Sequence, residues 1–145
     1  MPATYDDANL LLRLYELRRE DRMRQARDWF VRECHVTTLE EFDKLCPVGS
    51  ENNAFFRQVT TYWDMACSFV TAGVLHDEIF IQNNLEHLLV YIRIRQILPL
   101  LRQRNQTPLT MRNLEITAKR ALAWIEEQQP GASAGYEQRF SPRKS

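Results

Sequence analysis

From Ser50 to Gly73 the chain reads SENNAFFRQVTTYWDMACSFVTAG, its longest stretch of large apolar residues at helical spacing. Phe55, Phe56, Val59, Tyr62, Trp63, Ala66, Phe69 and Val70 recur three and four apart, drawing a broad apolar stripe along one side of a helix. Ser50 is a suitable N-cap. Gly73 supplies the left-handed residue that closes a helix. So wide an aromatic face needs neighbours to cover it, which places this helix in the middle of a helical bundle.

The remaining segments carry helical signals of their own. Asp6 to Cys34 contains no proline or glycine and is rich in leucine, arginine and glutamate, so it reads as one long N-terminal helix. Its apolar face changes phase: Leu10, Leu14 and Leu17 share one side, whereas Met23, Ala26 and Phe30 fall roughly opposite at about 100° per residue. With no breaker at Arg18 to Arg22, a continuous helix packing on different neighbours at its two ends is preferred to a bend. Thr38 and Glu41 have the capping-box order and predict a short helix to about Cys46. After Gly73, Leu75, Ile79 and Phe80 face inward on a short helix, and Asn83-Asn84 breaks it. A helix from Leu85 to about Gln103 follows, with Pro99 on its solvent side. Thr107-Pro108 then starts a last helix, which Pro130-Gly131 ends near Gln129.

The 145 residues fit one domain large enough to need no disulfide or metal staple. Formal net charge is zero, so no overall field draws the chain to nucleic acid or an anionic membrane. Cys34, Cys46 and Cys67 are odd in number, have no CxxC spacing and follow no charged-then-apolar leader. These features favour a reducing cytoplasm. Arg93 and Arg95 interrupt the most apolar run, LLVYIRIRQILPLL, and no membrane insertion is expected.

Catalytic and cofactor signatures are few. Only Gly49 and Gly73 precede the C-terminal tail, so neither a phosphate loop nor a dinucleotide fingerprint can be written. His35, His76 and His87 form no HExxH or ExxH pattern, and adjacent residues of a helix point about 100° apart, so no metal or other cofactor is expected. These histidines read as caps, surface residues or core donors. Cys67 lies in the most apolar helix, where burial makes a thiol inert. Asp64 in that same helix is expected to pair with an arginine of the first helix. Arg93, Arg95, Arg102, Arg104, Arg112 and Arg120 form the one basic region, with only Glu115 interposed.

The runs LYELRREDRMRQARDWFVREC and TTYWDMACSFVTAGVLHDEIF resemble a group of small bacterial helical proteins of unknown function, some with a membrane helix ahead of the domain. The resemblance covers Asn9 to Trp124 and includes Gly73 and the acidic-aromatic turn of Asp77, Glu78 and Phe80. It implies an all-helical fold and a bacterial source, and it transfers no activity. No membrane helix is legible here, so membrane attachment does not carry over.

These readings predict an all-α bundle of about five or six helices over residues 1–129. Its helices from Leu85 and Thr107 form an antiparallel pair against the central one. A flexible tail over 130–145 follows, whose Tyr136 and Phe140 are spaced to dock on a partner or neighbouring subunit. The function best supported is a non-enzymatic interaction or regulatory module, homo-oligomeric or bound to another protein. Tyr15, Arg27, Trp29 and Trp124 are its interface candidates, because aromatics and arginine concentrate at interface hot spots. One alternative is a small-ligand pocket lined by Tyr62, Trp63 and Phe69, with Asp64 or His76 supplying polarity. A second is phosphate or nucleic-acid contact through the Arg93 to Arg120 region.

Overall fold

A computed structural model describes residues 1–144, and among them it contains helices and no strand. In chain order the helices are α1 (Tyr5–Arg18), α2 (Asp21–Glu33), α3 (Leu39–Leu45), α4 (Glu51–Thr71), α5 (Asp77–Asn83), α6 (Glu86–Ile94), α7 (Leu98–Asn105), α8 (Arg112–Gln128) and α9 (Ala132–Phe140). The all-α expectation holds, with more and shorter helices than the apolar periodicity suggested. None of them is long and apolar enough to cross a membrane.

The segment opened by Ser50 forms α4, and the Ser50 hydroxyl accepts the Asn53 N–H as its cap. Gly73, at φ 77°, ends it. The N–H groups of Gly73 and Val74 bond back to the carbonyls of Val70 and Phe69, a paired closure that needs the left-handed residue. Phe55, Phe56, Val59, Trp63, Ala66 and Val70 are all buried. The broadest packing of α4 is along α2 and α8; of the two helices expected against it, the one read from Thr107 (α8) packs there broadly, and α6 of the Leu85 segment touches it less. At its base, Phe42 of α3 meets Phe56 edge-on at 4.8 Å. Asn52 and Asn53 cap α3 from α4 by donating to the Leu45 and Cys46 carbonyls.

The long first helix is two helices. Glu20 takes an extended conformation, and its two carboxylate oxygens accept the N–H groups of Arg22 and Met23, so it caps α2. This elbow absorbs the phase change of the apolar face: Leu14 is buried from α1, and Met23, Ala26, Trp29 and Phe30 from α2. The Leu85 helix is likewise divided into α6 and α7. Pro99 sits in the first turn of α7, where its missing N–H has no helical partner to lose, instead of bending a continuous helix. Helix α8 begins at Arg112 after a left-handed Met111, and Thr107 caps only the preceding turn through the Leu109 N–H.

Helix α6 is the most enclosed element. His87, Leu88, Val90, Tyr91, Ile92, Arg93 and Ile94 are buried, so nearly its whole circumference faces protein. A helix apolar all round belongs in an interior, and α6 shares the centre of the bundle with α4. Beyond Pro130, the segment read as an aperiodic tail carries α9, which lies on α6 and α8.

Candidate functional site

Polar residues with buried or half-buried side chains tie helices together instead of converging on a cavity. The largest such tie centres on Glu86, at the start of α6. Its carboxylate receives two bonds from Arg27, Nε to Oε2 at 2.7 Å and Nη2 to Oε1 at 3.1 Å, and a third from the Trp63 indole at 3.0 Å. Arg27 Nη1 also donates to the Arg18 carbonyl at the end of α1. Arg18 reaches Asn84 Oδ1 at 2.9 Å, and its guanidinium lies over Trp63. One carboxylate thus joins the α1–α2 elbow to α4 and α6.

Asp64 does not pair with an arginine of the first helix. Its Oδ1 accepts the Leu114 N–H at 2.9 Å, so it caps the start of α8 from a neighbouring helix, a favourable place for negative charge. Asp7 acts similarly between the N-terminus and α5. It accepts the N–H groups of Thr4 and His76, and these bonds hold its carboxyl below its ordinary range. His76 is the N-cap of α5.

His87 is fully buried, between Phe80 at 5.0 Å and Trp63 at 6.4 Å. Its Nδ1 bonds to the Asn84 carbonyl, and its Nε2 has no protein partner. Burial lowers its pKa from 6.5 to about 4. The unfolded chain therefore takes up a proton that the folded one refuses. This contribution to stability is complete above pH 6.5 and is lost as the pH falls towards 4. We expect stability to drop by about 3 kcal/mol over that interval. The effect would be measured by urea denaturation at a series of pH values. His87→Leu is expected to flatten the slope, apart from the smaller contribution of His35, whose pKa is also lowered by burial and by Arg93 and Arg143. An unchanged slope would refute the assignment. Asp7 and Glu20, with depressed pKa values, lose their contributions at lower pH.

The basic region of the sequence is dispersed. Arg93 is buried, and its guanidinium donates to the carbonyls of Phe30, Val31 and Cys34 at the end of α2 and of Phe140 at the end of α9. Arg95 pairs with Glu137, Arg102 with Glu115, and Arg104 with Asp43. Of the six, Arg93, Arg112 and Arg120 form no salt bridge among the described residues.

Of the ligand-pocket candidates, Trp63 is fully buried, while Tyr62, Asp64, Phe69 and His76 are half-buried and face different neighbours. Tyr62 donates its hydroxyl to the Leu14 carbonyl. His76 lines an open depression of about 550 Å³ with Glu78, and Asp64 an adjoining one of about 470 Å³ with Arg112 and Asn113; Thr71 and Arg120 line both. Among the described residues no group of three or more His, Cys, Asp or Glu side chains is arranged to hold a metal ion. All three cysteines are buried and unpaired, and burial pushes Cys34 up to about 12 and Cys46 to about 11. A thiol so far from ionisation is a poor nucleophile.

Of the interface candidates, Trp29 is buried and Arg27 is held by Glu86. Trp124 is half-buried against the core, and Tyr15 is exposed. Tyr15 belongs to a larger feature. Leu14 and Asp7 turn inward from α1, and on the other side Tyr5, Ala8, Leu12 and Tyr15 follow one another at spacings of three, four and three. Tyr5 is 82%, Leu12 59% and Tyr15 44% exposed. The sequence signal was available: this second apolar phase, at heptad spacing, runs beside the inward one of Leu10 and Leu14.

The model of one family, described as a domain of unknown function (DUF4760), matches residues 3–121. No curated protein and no solved structure matches the chain.

Proposed function

We propose that this chain, which belongs to the DUF4760 family, is a non-enzymatic association module that pairs with a second copy of itself through the outer face of α1. The observation that carries this reading is the heptad stripe of exposed Tyr5, Leu12 and Tyr15 with half-buried Ala8, on a helix whose inner face is already used by the fold. Charge selects the orientation. Asp6 and Asp7 stand in the first turn, and Arg13, Arg18 and the C-cap Arg19 outnumber Glu16 towards the other end, so an antiparallel pair brings opposite net charges and opposite helix ends together. Centred between Ala8 and Leu12, such a pair sets Tyr5 against Tyr15 of the second copy and Ala8 against Leu12, small against large. Buried, unpaired Cys34, Cys46 and Cys67 support a reducing compartment such as the cytoplasm.

Sedimentation velocity over a concentration series tests the pairing. The wild-type chain is expected to shift from monomer to dimer as concentration rises. The double variant Leu12→Glu/Tyr15→Glu, altered at exposed positions only, is expected to remain monomeric with an unchanged helical spectrum. A wild-type chain that stays monomeric at the highest concentration removes the proposal.

A further inference from the structure

Helix α9 lies outside the residues matched by the family model and is joined to α8 by Gln129, Pro130 and Gly131 alone. It is a weak helix by itself. It has nine residues, Gly135 stands in its middle, and none of its residues is fully buried. What holds it is a specific reception at its C-terminal end. Arg93 Nε donates to the Phe140 carbonyl at 2.9 Å, while the same guanidinium is fixed from behind by three carbonyls of α2. One buried cation therefore receives the negative ends of two helices. One turn earlier, Arg95 meets Glu137 at 3.2 Å. Tyr136 and Phe140, with ring centroids 5.5 Å apart, pack against the core. The entry to α9 is held by Glu126, which accepts the N–H groups of Gly131 and Ser133.

We infer that the groove of α6 and α8 is a receptor for the C-terminal end of a helix, filled within the chain by α9 and exchangeable for the α9 of a second copy. The recognition elements are on the receptor: a rigid donor for a terminal carbonyl, a cation for an acid three residues before it, and an apolar bed for two aromatics four apart. The same elements serve an α9 arriving from another chain, because its link to the rest of that chain is short and ends in Gly131 at φ 89°. Charge complementarity between Arg95 and Glu137 names the occupant. This exchange is independent of α1 pairing, and its test does not use α1.

The test is fluorescence anisotropy of a labelled peptide of residues 131–144, added to the full chain. A peptide carrying Glu137→Arg is expected to bind the full-length Arg95→Glu chain saturably, and about five-fold more tightly than the unaltered peptide binds that chain. On the wild-type chain the preference is expected to reverse. A circular dichroism spectrum of Arg95→Glu confirms that the receptor is folded. No saturable binding of either peptide to either chain, a preference that ignores the Arg95–Glu137 pairing, or equal binding of a scrambled peptide would each overturn the inference.

Discussion

Replacing Arg93 with leucine is expected to cost about 3–5 kcal/mol of folding stability, or roughly 10–15 °C in melting temperature. Arg93 is 5% exposed, and its Nη1 lies 3.0 to 3.3 Å from the carbonyls of Phe30, Val31 and Cys34. The Phe30 carbonyl also accepts the Cys34 N–H, whereas those of Val31 and Cys34 lie past the last such bond of α2, where a helix cannot satisfy them internally. Leucine fills much of the apolar volume but donates nothing, so carbonyls at that end face a dry interior and α9 loses the bond to Phe140. Lysine keeps the charge without the planar fork, and Arg93→Lys is expected to recover only part of the loss. Urea denaturation of the three proteins measures the difference. If Arg93→Leu unfolds within about 1 kcal/mol of wild type, the guanidinium is not the cap described here.

The position of Arg93 shows why some features were legible in the sequence and others were not. Helices α4 and α8 announced themselves because each has one long apolar stripe with a turn signal beyond its end, and periodicity is a local property. The elbow at Glu20 was not announced. Glutamate is a good helix former, and only its carboxylate bonding to Arg22 and Met23 reveals that it caps. In the sequence Arg93 reads as one member of a basic region, because the charged residues that follow it, as far as Arg112, are also arginines. It is inside because helix ends some sixty residues away in the chain need a donor, and periodicity carries no trace of that need. Asp64 misled for the same reason, since the N–H that it caps lies fifty residues on, in α8. At the candidate interface, aromatic identity was a poorer guide than phase. Trp29 lies on the buried side of α2, whereas the outer stripe of α1 was written in its spacing.

Glu86→Ala is the second variant with a large expected effect, about 3–4 kcal/mol by the same measurement. Removing the carboxylate leaves Arg27 beside the core without its counter-charge and the Trp63 indole N–H without an acceptor, in a side chain that is otherwise fully enclosed. Glu86→Gln retains an acceptor for Trp63 but not the ion pair, and is expected to lose about half as much. Removing both partners, in Arg27→Met/Glu86→Leu, is expected to destabilise less than Glu86→Ala alone, because an isolated charge near the core costs more than an apolar pair. A double-mutant cycle separates the pair from the indole bond, and simple additivity of the two changes would contradict the coupling described here. The same variants bear on association. Arg27 also holds the last carbonyl of α1 through Arg18, so the Glu86 network sets the angle at which α1 leaves the bundle. Glu86→Gln, folded but with a looser elbow, is therefore expected to dimerise more weakly than wild type although it changes no residue of the α1 stripe. Leu12→Glu/Tyr15→Glu should show the converse, losing the dimer while keeping the stability of the monomer.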